Sequence, residues 1–449
     1  MNRLNPEALS SGAAMIDLDR MLDEHIITPR ILVIVFLCFA VMLVDGFDLF
    51  VTSQLLPSIA QSYHTTTAIL SGSYSAQIVG QALGAFAIGP LADRFGRRPA
   101  FLASLGLFGL ANLSSVLCVD ATQFGVSRFF CGALGGGLTP IIISLVADIA
   151  PRRWRGRLIG LTYVGLFIGP LGSAGVTGWL LNLYGWRSAF WIGGCAALLL
   201  WPVILSVVPE SPRYLARRNP LDPKISRALK RLGIDGMGTS FSTEAASRDA
   251  PVIGLFRDGR APMTLTLWLL SSFSLIAGTL FGLLGTFYHE FAGVPLASFA
   301  GFLTLMLAGS AFAVVLVGAV MDKIGTYRTL FALAAAGALS VVSLTALKIG
   351  TVPFSFAIFC SGFCFAGAQQ ALNIVVPLLY PATMRATAIG WKAGLSRLAS
   401  AAAPLLGGAV LASHAGLGVA LLITATPLVI LALGTPLLAI AARRGAART

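Results

Sequence analysis

The sequence predicts an all-α membrane protein of twelve transmembrane helices in two pseudo-symmetric six-helix bundles, and three observations lead there. The first is composition. Of 449 residues, 56% are hydrophobic and only 11% charged, and the mean hydropathy of +0.85 lies far outside the range of a soluble globular chain. The second is a series of apolar runs of about 20 residues, the length that crosses a hydrocarbon core of about 30 Å. The third is a loop motif that occurs twice, half a chain apart, with a polar segment between the copies.

Residues 1–30 come first. They are polar and amphipathic, with Ile16, Leu18, Met21, Leu22 and Ile26 spaced along them, and lack the apolar core and small-residue cleavage site of a secretory leader. They read as a cytoplasmic lead-in. The first bundle, 31–209, holds six spans at 31–56, 68–91, 99–118, 122–147, 158–182 and 188–208. The fourth span is rich in glycine (Gly132, Gly135, Gly136, Gly137), which lets helices approach closely. In the fifth, Gly165-x-x-x-Gly169-Pro170-x-Gly172 reads as a kinked packing surface. A polar, charged stretch at 210–262 follows, with one short helix expected from Pro223 to Leu232. The second bundle, 263–441, holds spans at 263–288, 296–320, 328–348, 352–378, 386–411 and 417–441, and residues 442–449 form a tail.

An even number of spans puts both termini on one side, and the basic residues decide which. Arg94, Arg97 and Arg98, then Arg152, Arg153, Arg155 and Arg157, then Arg213, Arg217 and Arg218, then Lys323 and Arg328 all fall in connections on the same side as the termini. The opposite connections offer only Arg187 and Lys348. By the positive-inside rule both termini are cytoplasmic. The formal charge of +13 is therefore topological, because the cations form no patch interleaved with aromatics of the kind that binds nucleic acid. The six cysteines fall in or at the ends of apolar runs and form no loop CxxC pair, so they read as small packing residues holding neither disulfide nor metal.

The repeated motif is Gly89-x-x-x-Asp93-Arg94-x-Gly96 after the second span and Gly318-x-x-x-Asp322-Lys323-x-Gly325 after the eighth. Gly318 lies 229 positions after Gly89, and the other pairs keep that offset. Two structural repeats around a midplane site are the architecture of a secondary transporter. As plain structure, Gly89, Asp93, Arg94, Gly96, Arg97 and Arg98 make a tight turn with topogenic charge. As machinery they make a gate latch, in which Asp93 pairs with basic residues or helix ends in one conformation and releases them in the other. The second copy has Thr326 and Tyr327 in place of the two arginines, which leaves Asp322 in a weaker latch.

Charge inside the membrane is the sharpest signal. Asp45 and Asp48 sit in the first span, where an acid costs roughly 2.5–3.5 kcal/mol on insertion scales. Their i, i+3 spacing puts both on one face, turned toward protein or a water-filled cavity. They would serve packing as a buried ion pair, or cap a helix break at Gly46. In proton coupling, desolvation and mutual repulsion disfavour the doubly ionised state and the two titrate as a pair. Arg128 lies roughly 10 Å deep in the fourth span, close to the depth of Asp48, and Arg397 roughly 18 Å deep in the eleventh, close to the midplane. A guanidinium there grips a carboxylate bidentately. For Arg128 the plainer role is a structural salt bridge; for Arg397 it is packing away from lipid. Gln369 and Asn373, i and i+4 in the tenth span beside Gln370, suit a ring hydroxyl or carboxylate, or serve as interhelical glue. Aromatic wall candidates are Tyr74, Tyr163, Phe281 and Trp391. The repeat offset carries Asp45 to Ser274 and Arg397 back to Ile168, so the loop motif is duplicated while the intramembrane charges are not.

GPLADRFGRRP at Gly89 to Pro99 resembles the loop signature of the major facilitator superfamily. DGFD in the first span, RFFCGALGGG in the fourth, GWRSAF after the fifth, PESPRYL after the sixth and GAQQALNIVVPLLYPATMRATAIGW through the tenth and eleventh together resemble its aromatic acid:proton symporter family. That resemblance covers nearly the whole chain. It implies the major facilitator fold, a need for the DGxD acids in transport, and roles for the arginines at 128 and 397. Lys392, Ser396 and Ala399 depart from the family pattern around Arg397.

The expected protein is a proton-coupled symporter importing a small aromatic carboxylate across a bacterial-type cytoplasmic membrane by alternating access. Protons are its coupling ion; no cofactor, metal or nucleic acid is expected, and it acts as a monomer in the bilayer. Another organic acid, a sugar, an antiport exporter and a non-transporting sensor stay open as readings. No Ser/His/Asp, metal-ligand or nucleotide-binding constellation points to an enzyme.

Overall fold

The computed structural model describes residues 16–175, 179–234, 241–242, 252–257, 259–380 and 382–446. Among these, eleven helices are long and apolar enough to cross a membrane. The remaining predicted span is α6 (Arg155–Gly175) with α7 (Leu181–Tyr184), which flank residues outside the described set. A short α1 (Leu18–Glu24) leads into α2 (Pro29–Ser62), α3 (Thr67–Phe95), α4 (Arg97–Leu117) and α5 (Ala121–Ile149). After α6 and α7, α8 (Arg187–Val207) closes the first half. The helix from Pro29 starts as its sequence dictates: Thr28 accepts from the backbone N–H of Ile31, and Pro29 occupies a first-turn position that has no N–H to satisfy. It runs on to Ser62 through Pro57 and Ser58, which interrupt the hydropathy but not the helix. Gly46 lies inside it, so the backbone does not break there.

The second half is built on the same plan: α11 (Ala261–Gly282) and α12 (Leu284–Ala292), α13 (Leu296–Ile324), α14 (Thr326–Ser343), α15 (Val352–Leu379), α16 (Ala382–Ser400) and α17 (Ala402–Ala412), and α18 (Leu417–Ala446). Two predicted spans are thus each divided at a single residue, Leu283 and Ala401. The internal repeat is visible in the backbone. Between α3 and α4 the turn rests on Gly96 at φ +110°, and between α13 and α14 on Gly325 at φ +96°, a conformation that L side chains rarely adopt.

Glycine sets how closely the helices of the first half pack. A Cβ on Gly132 or Gly136 would meet the backbone of Gln77 or Gln81 on α3, and one on Gly46 the backbone of Leu166 on α6. The segment between the halves is shared between them. Its α9 (Pro212–Arg218) and α10 (Lys224–Leu232) dock on the first half, where Arg213 bonds Asp19 at 2.8 Å and Asp23 at 2.6 Å. A two-residue parallel pairing of β1 (Ile16–Asp17) with β2 (Phe241–Ser242) ties the lead-in to the same segment. The short 3-10 turn Val252–Phe256 belongs to the second half, its Leu255 carbonyl accepting from Thr264 Oγ1 at 2.7 Å.

Both described ends and this central segment lie on one face, the terminal face. Three hydrogen bonds join the halves toward the other face. Thr286 donates to the Ser53 carbonyl at 2.9 Å, Ser75 to the Ala401 carbonyl at 2.8 Å, and Thr67 to Glu290. The halves also meet at the rings of Phe86 and Trp391, 6.1 Å apart. The polar contacts seen between the halves thus gather toward the face opposite the termini.

Candidate functional site

Two acids one helical turn apart on α2 have different partners. Asp48 points at α5 and α3: its Oδ1 accepts from Arg128 Nη1 at 2.8 Å and its Oδ2 from Gln77 Nε2 at 2.8 Å. Arg128 is fully buried. Its other Nη bonds Ser115 and, at 3.1 Å, Cys131 Sγ, and its guanidinium carbon stands 4.5 Å from the Phe190 ring centroid. The pair is closed off from solvent and from the second half.

Asp45 is buried too, at 4% exposure, yet its Oδ2 has no hydrogen-bond partner among the described residues. The space it occupies is left by Gly135 on α5, where a Cβ would come within 2.6 Å of Asp45 Oδ1. The candidate cation of the opposite half is Arg397, on α16. Arg397 is half-buried and makes no ion pair within 4 Å among the described residues. The first half thus holds a buried acid with a spare oxygen, and the second a cation without an ion-pair partner among the described residues. A carboxylate binds to such a cation, and a proton to such an acid.

The second half supplies the remaining wall. Gln369 on α15 accepts from Ser274 on α11, the position equivalent by repeat to Asp45. Asn373, one turn farther toward the terminal face, is exposed. It lies nine residues, half a turn around the helix, from Cys364, which packs on Gly337 of α14, so it is turned away from that peripheral helix. Its Oδ1 accepts from Lys392 Nζ at 2.6 Å. Lys392 is 5% exposed and makes no ion pair among the described residues. Trp391 stacks on Trp268 with centroids 6.2 Å apart and meets Phe86 across the halves. Of the other aromatic candidates, Tyr74 lies in the closed contact near Gly282, and Phe281 packs on Phe365 with centroids 5.3 Å apart.

The first loop motif is tied into its own half. Gly96 sits against the carboxylate of Glu210, a Cβ there being excluded by Glu210 Oε2. The backbone N–H groups of Arg97 and Arg98 donate to Glu210 Oε1 at 3.0 and 3.2 Å. Arg97 also bonds Asp148 and the Ser144 carbonyl, and Asp148 accepts from Ser211. Arg98 reaches the Leu205 carbonyl at 2.6 Å, and the Arg94 carbonyl accepts from Tyr214 at 3.1 Å. Burial raises the proton affinity of Glu210 above the usual carboxylate range, against the pull of the Ser211, Arg98 and Arg97 N–H groups. Gly89 faces open space, and the Asp93 side chain lies outside the described residues. In the second copy Asp322 is exposed and Gly325 has open space beside it. Sequence reasoning did not single out Gln77, Ser115, Asp148 or Glu210. A signal existed for the last, an acid in PESPRYL directly after an apolar run; a polar residue at Gln77 inside the second span was a weaker one.

With this geometry in place, known proteins can be compared. A family model described as Major Facilitator Superfamily matches residues 38–404. The chain is 33% identical over 415 residues to a gallate transporter of Pseudomonas putida, covering 92% of each chain. It is 28% identical over 410 residues to the 4-hydroxybenzoate transporter PcaK of Pseudomonas aeruginosa, covering 90% of each. To the 3-(3-hydroxy-phenyl)propionate transporter of Escherichia coli it is 29% identical over 395 residues, covering 87% of this chain and 89% of that one. Among solved structures, a bacterial homologue of the human lysosomal transporter Spinster, inward-facing and unoccupied, superposes with a TM-score of 0.73 at 15% identity, covering 93% of this chain and 98% of that one. The xylose transporter XylE of E. coli in a partially occluded inward-open conformation gives 0.70 at 20% identity, covering 90% and 97%. The fold, the matched model and these relatives agree: the chain is a multi-pass membrane protein that belongs to the Major Facilitator Superfamily, in its aromatic-acid transporter family.

Proposed function

We propose that the protein imports a small aromatic carboxylate together with protons across a bacterial-type cytoplasmic membrane, by rocking of the bundles 31–209 and 263–441 about a midplane site. The observation that carries this reading is the unpartnered oxygen of buried Asp45 in one half together with Arg397, without an ion-pair partner among the described residues, in the other. The relatives named for gallate, 4-hydroxybenzoate and hydroxyphenylpropionate supply the substrate class.

Coupling follows from charge. While Asp45 is ionised it competes with the substrate for Arg397; once protonated it releases the guanidinium to a substrate carboxylate. Asp48 is the second acid of the coupling pair, neutralised by Arg128 in this conformation, and Arg128 takes the substrate carboxylate where that pair opens. Gln369 and Asn373 hydrogen-bond ring hydroxyls, Lys392 adds positive potential beside Asn373, and Trp391 and Trp268 form the apolar wall. One proton per monovalent anion is electroneutral; a second would add about 2.3 kcal/mol per 100 mV. The loop at Gly89, Asp93, Arg94, Gly96, Arg97 and Arg98, with Asp322 in the weaker copy, is the latch. Both termini and the segment 210–262 are cytoplasmic, as the excess of arginine and lysine there favours, and the conformation open to that face is inward-facing. The protein works as a monomer, alters no covalent bond in its cargo, and uses protons in place of a cofactor.

The test is uptake of radiolabelled benzoate, 4-hydroxybenzoate, gallate and 3-(3-hydroxyphenyl)propionate into proteoliposomes with an imposed proton gradient. Wild type should accumulate at least one of them. Asp45→Asn should lose gradient-driven accumulation and keep substrate exchange, and Arg397→Ala should lose both, in line with the roughly 2–5 kcal/mol cost of truncating one side of a buried charge contact. Lys392→Met should shift the order of preference within the panel. Failure of folded wild type to take up any of the four would remove the aromatic-acid assignment.

A further inference from the structure

A second site lies on the terminal face, away from the transport pathway. The start of α2, the end of α8 and the helix α10 border an open cleft of about 650 Å³. Its rim carries four cations, Arg30, Arg227, Lys230 and Arg231, all exposed, and no acid lines it. Its wall is apolar, formed by residues such as Val33 and Val207. Beyond the rim that wall continues onto outward-facing side chains, Phe36 a turn along α2 and Val203 a turn back along α8, both exposed on the surface that meets lipid.

The cations are held there by the fold. Helix α10 buries Ile225, Ala228, Leu229 and Leu232 against the first half and turns its basic residues outward. Its C-terminal carbonyls are taken by α2: Thr28 donates to the Leu232 carbonyl at 2.5 Å and Arg30 to the Lys230 carbonyl at 2.6 Å. Those bonds leave the positive charges uncompensated, since none of the four forms an ion pair among the described residues. A short way off on the same face, Arg155 and Arg213 are neutralised by Asp19 and Asp23. A cleft with four unpaired cations at headgroup level and an apolar wall running into the bilayer is complementary to one occupant.

We propose that this cleft binds the headgroup of an anionic phospholipid, with an acyl chain lying along Val33 and Phe36. The occupancy fastens α10, and through it the central segment, to the first half. It rests on the cleft alone and holds whatever the transported substrate is.

The experiment uses the full-length protein, delipidated in detergent and titrated with phosphatidylglycerol or phosphatidylcholine, with thermal melting and native mass spectrometry as readouts. Phosphatidylglycerol should raise the melting temperature and remain bound. In Arg227→Gln/Lys230→Gln/Arg231→Gln its affinity should fall by roughly a hundredfold, about fivefold per cation. These side chains are exposed, so melting in phosphatidylcholine should match wild type. Val33→Trp, which fills the wall and leaves every charge in place, should also weaken binding and keeps the test decisive if the triple variant folds poorly. An equal phosphatidylglycerol response in wild type and both variants overturns the proposal. So does reproduction of the effect by inorganic phosphate, which would make the cleft a site for a soluble anion.

Discussion

The two halves share a backbone plan and differ in where charge is placed. Each has a helix pair joined through a glycine in the same conformation, Gly96 and Gly325. Around Gly96 the first half assembles Glu210, Arg97, Asp148 and Ser211 into one polar knot; around Gly325 the second half has open space. Inside the membrane the first half holds both acids, Asp45 and Asp48, and the second half answers with Arg397 and Lys392, neither of them ion-paired among the described residues. Ser274, at the place equivalent to Asp45, is satisfied by Gln369. Duplicated features hold the scaffold together, and the unduplicated ones make the proposed site: a symmetric pair of acids would repel, whereas an acid in one half and a cation in the other attract.

Breaking the closed pair in the first half should have the largest effect on stability. Arg128→Met strands Asp48 as a buried charge and should cost about 3–5 kcal/mol, seen as a lowered melting temperature in detergent, with much of the loss recovered in Asp48→Asn/Arg128→Met. Arg397→Met, which strands no closed pair, should melt close to wild type. If the two arginine variants melt alike, the distinction between a structural and a functional cation fails.

The glycine pair gives a smaller and more direct comparison. Gly325→Ala should cost about 1–3 kcal/mol from backbone strain alone. Gly96→Ala meets the same strain and also pushes on Glu210, so it should melt lower still. Equal melting would mean that the knot around Gly96 contributes nothing.

The smallest effect expected is on pH dependence. Because burial raises the proton affinity of Glu210, the folded state holds that proton more tightly than the unfolded state. Its contribution to stability is complete below the ordinary carboxylate value of 4.5 and is lost as pH rises through the raised value. Wild type should therefore lose stability relative to Glu210→Gln as pH climbs from about 4 toward neutrality. Parallel melting curves for the two across that window would contradict the assignment.

Much of this was legible in the chain. Hydropathy located the helices to within a few residues, apart from the ends where polar residues finish a helix, as Ser58 to Ser62 do in α2. The 229-residue offset between Gly89 and Gly318 foretold two copies of one turn. Spacing put Asp45 and Asp48 on one face and marked Arg128 as a cation at the depth of Asp48 and Arg397 as one close to the midplane. It could not separate the two acids, because what separates them comes from other helices: Gln77 from α3 and Arg128 from α5 close on Asp48, while Gly135 leaves Asp45 a space and no donor. Glu210 was hidden for the same reason, its partners Arg97 and Arg98 lying 113 and 112 residues away at the start of α4.

By itself, the sequence determined the solvent, the number of spans, the internal repeat and the residues capable of carrying charge across a membrane. Each of these depends on composition or on periodicity along one helix, and both survive without neighbours. Tertiary structure decided which charges are spent on one another and which are left for a substrate, a proton or a lipid. An intramembrane charge has no fixed meaning until its partners are placed: in low dielectric a partner at 2.8 Å neutralises it and the lack of one leaves it poised to bind, and distances of that kind are set by packing between helices far apart in the chain.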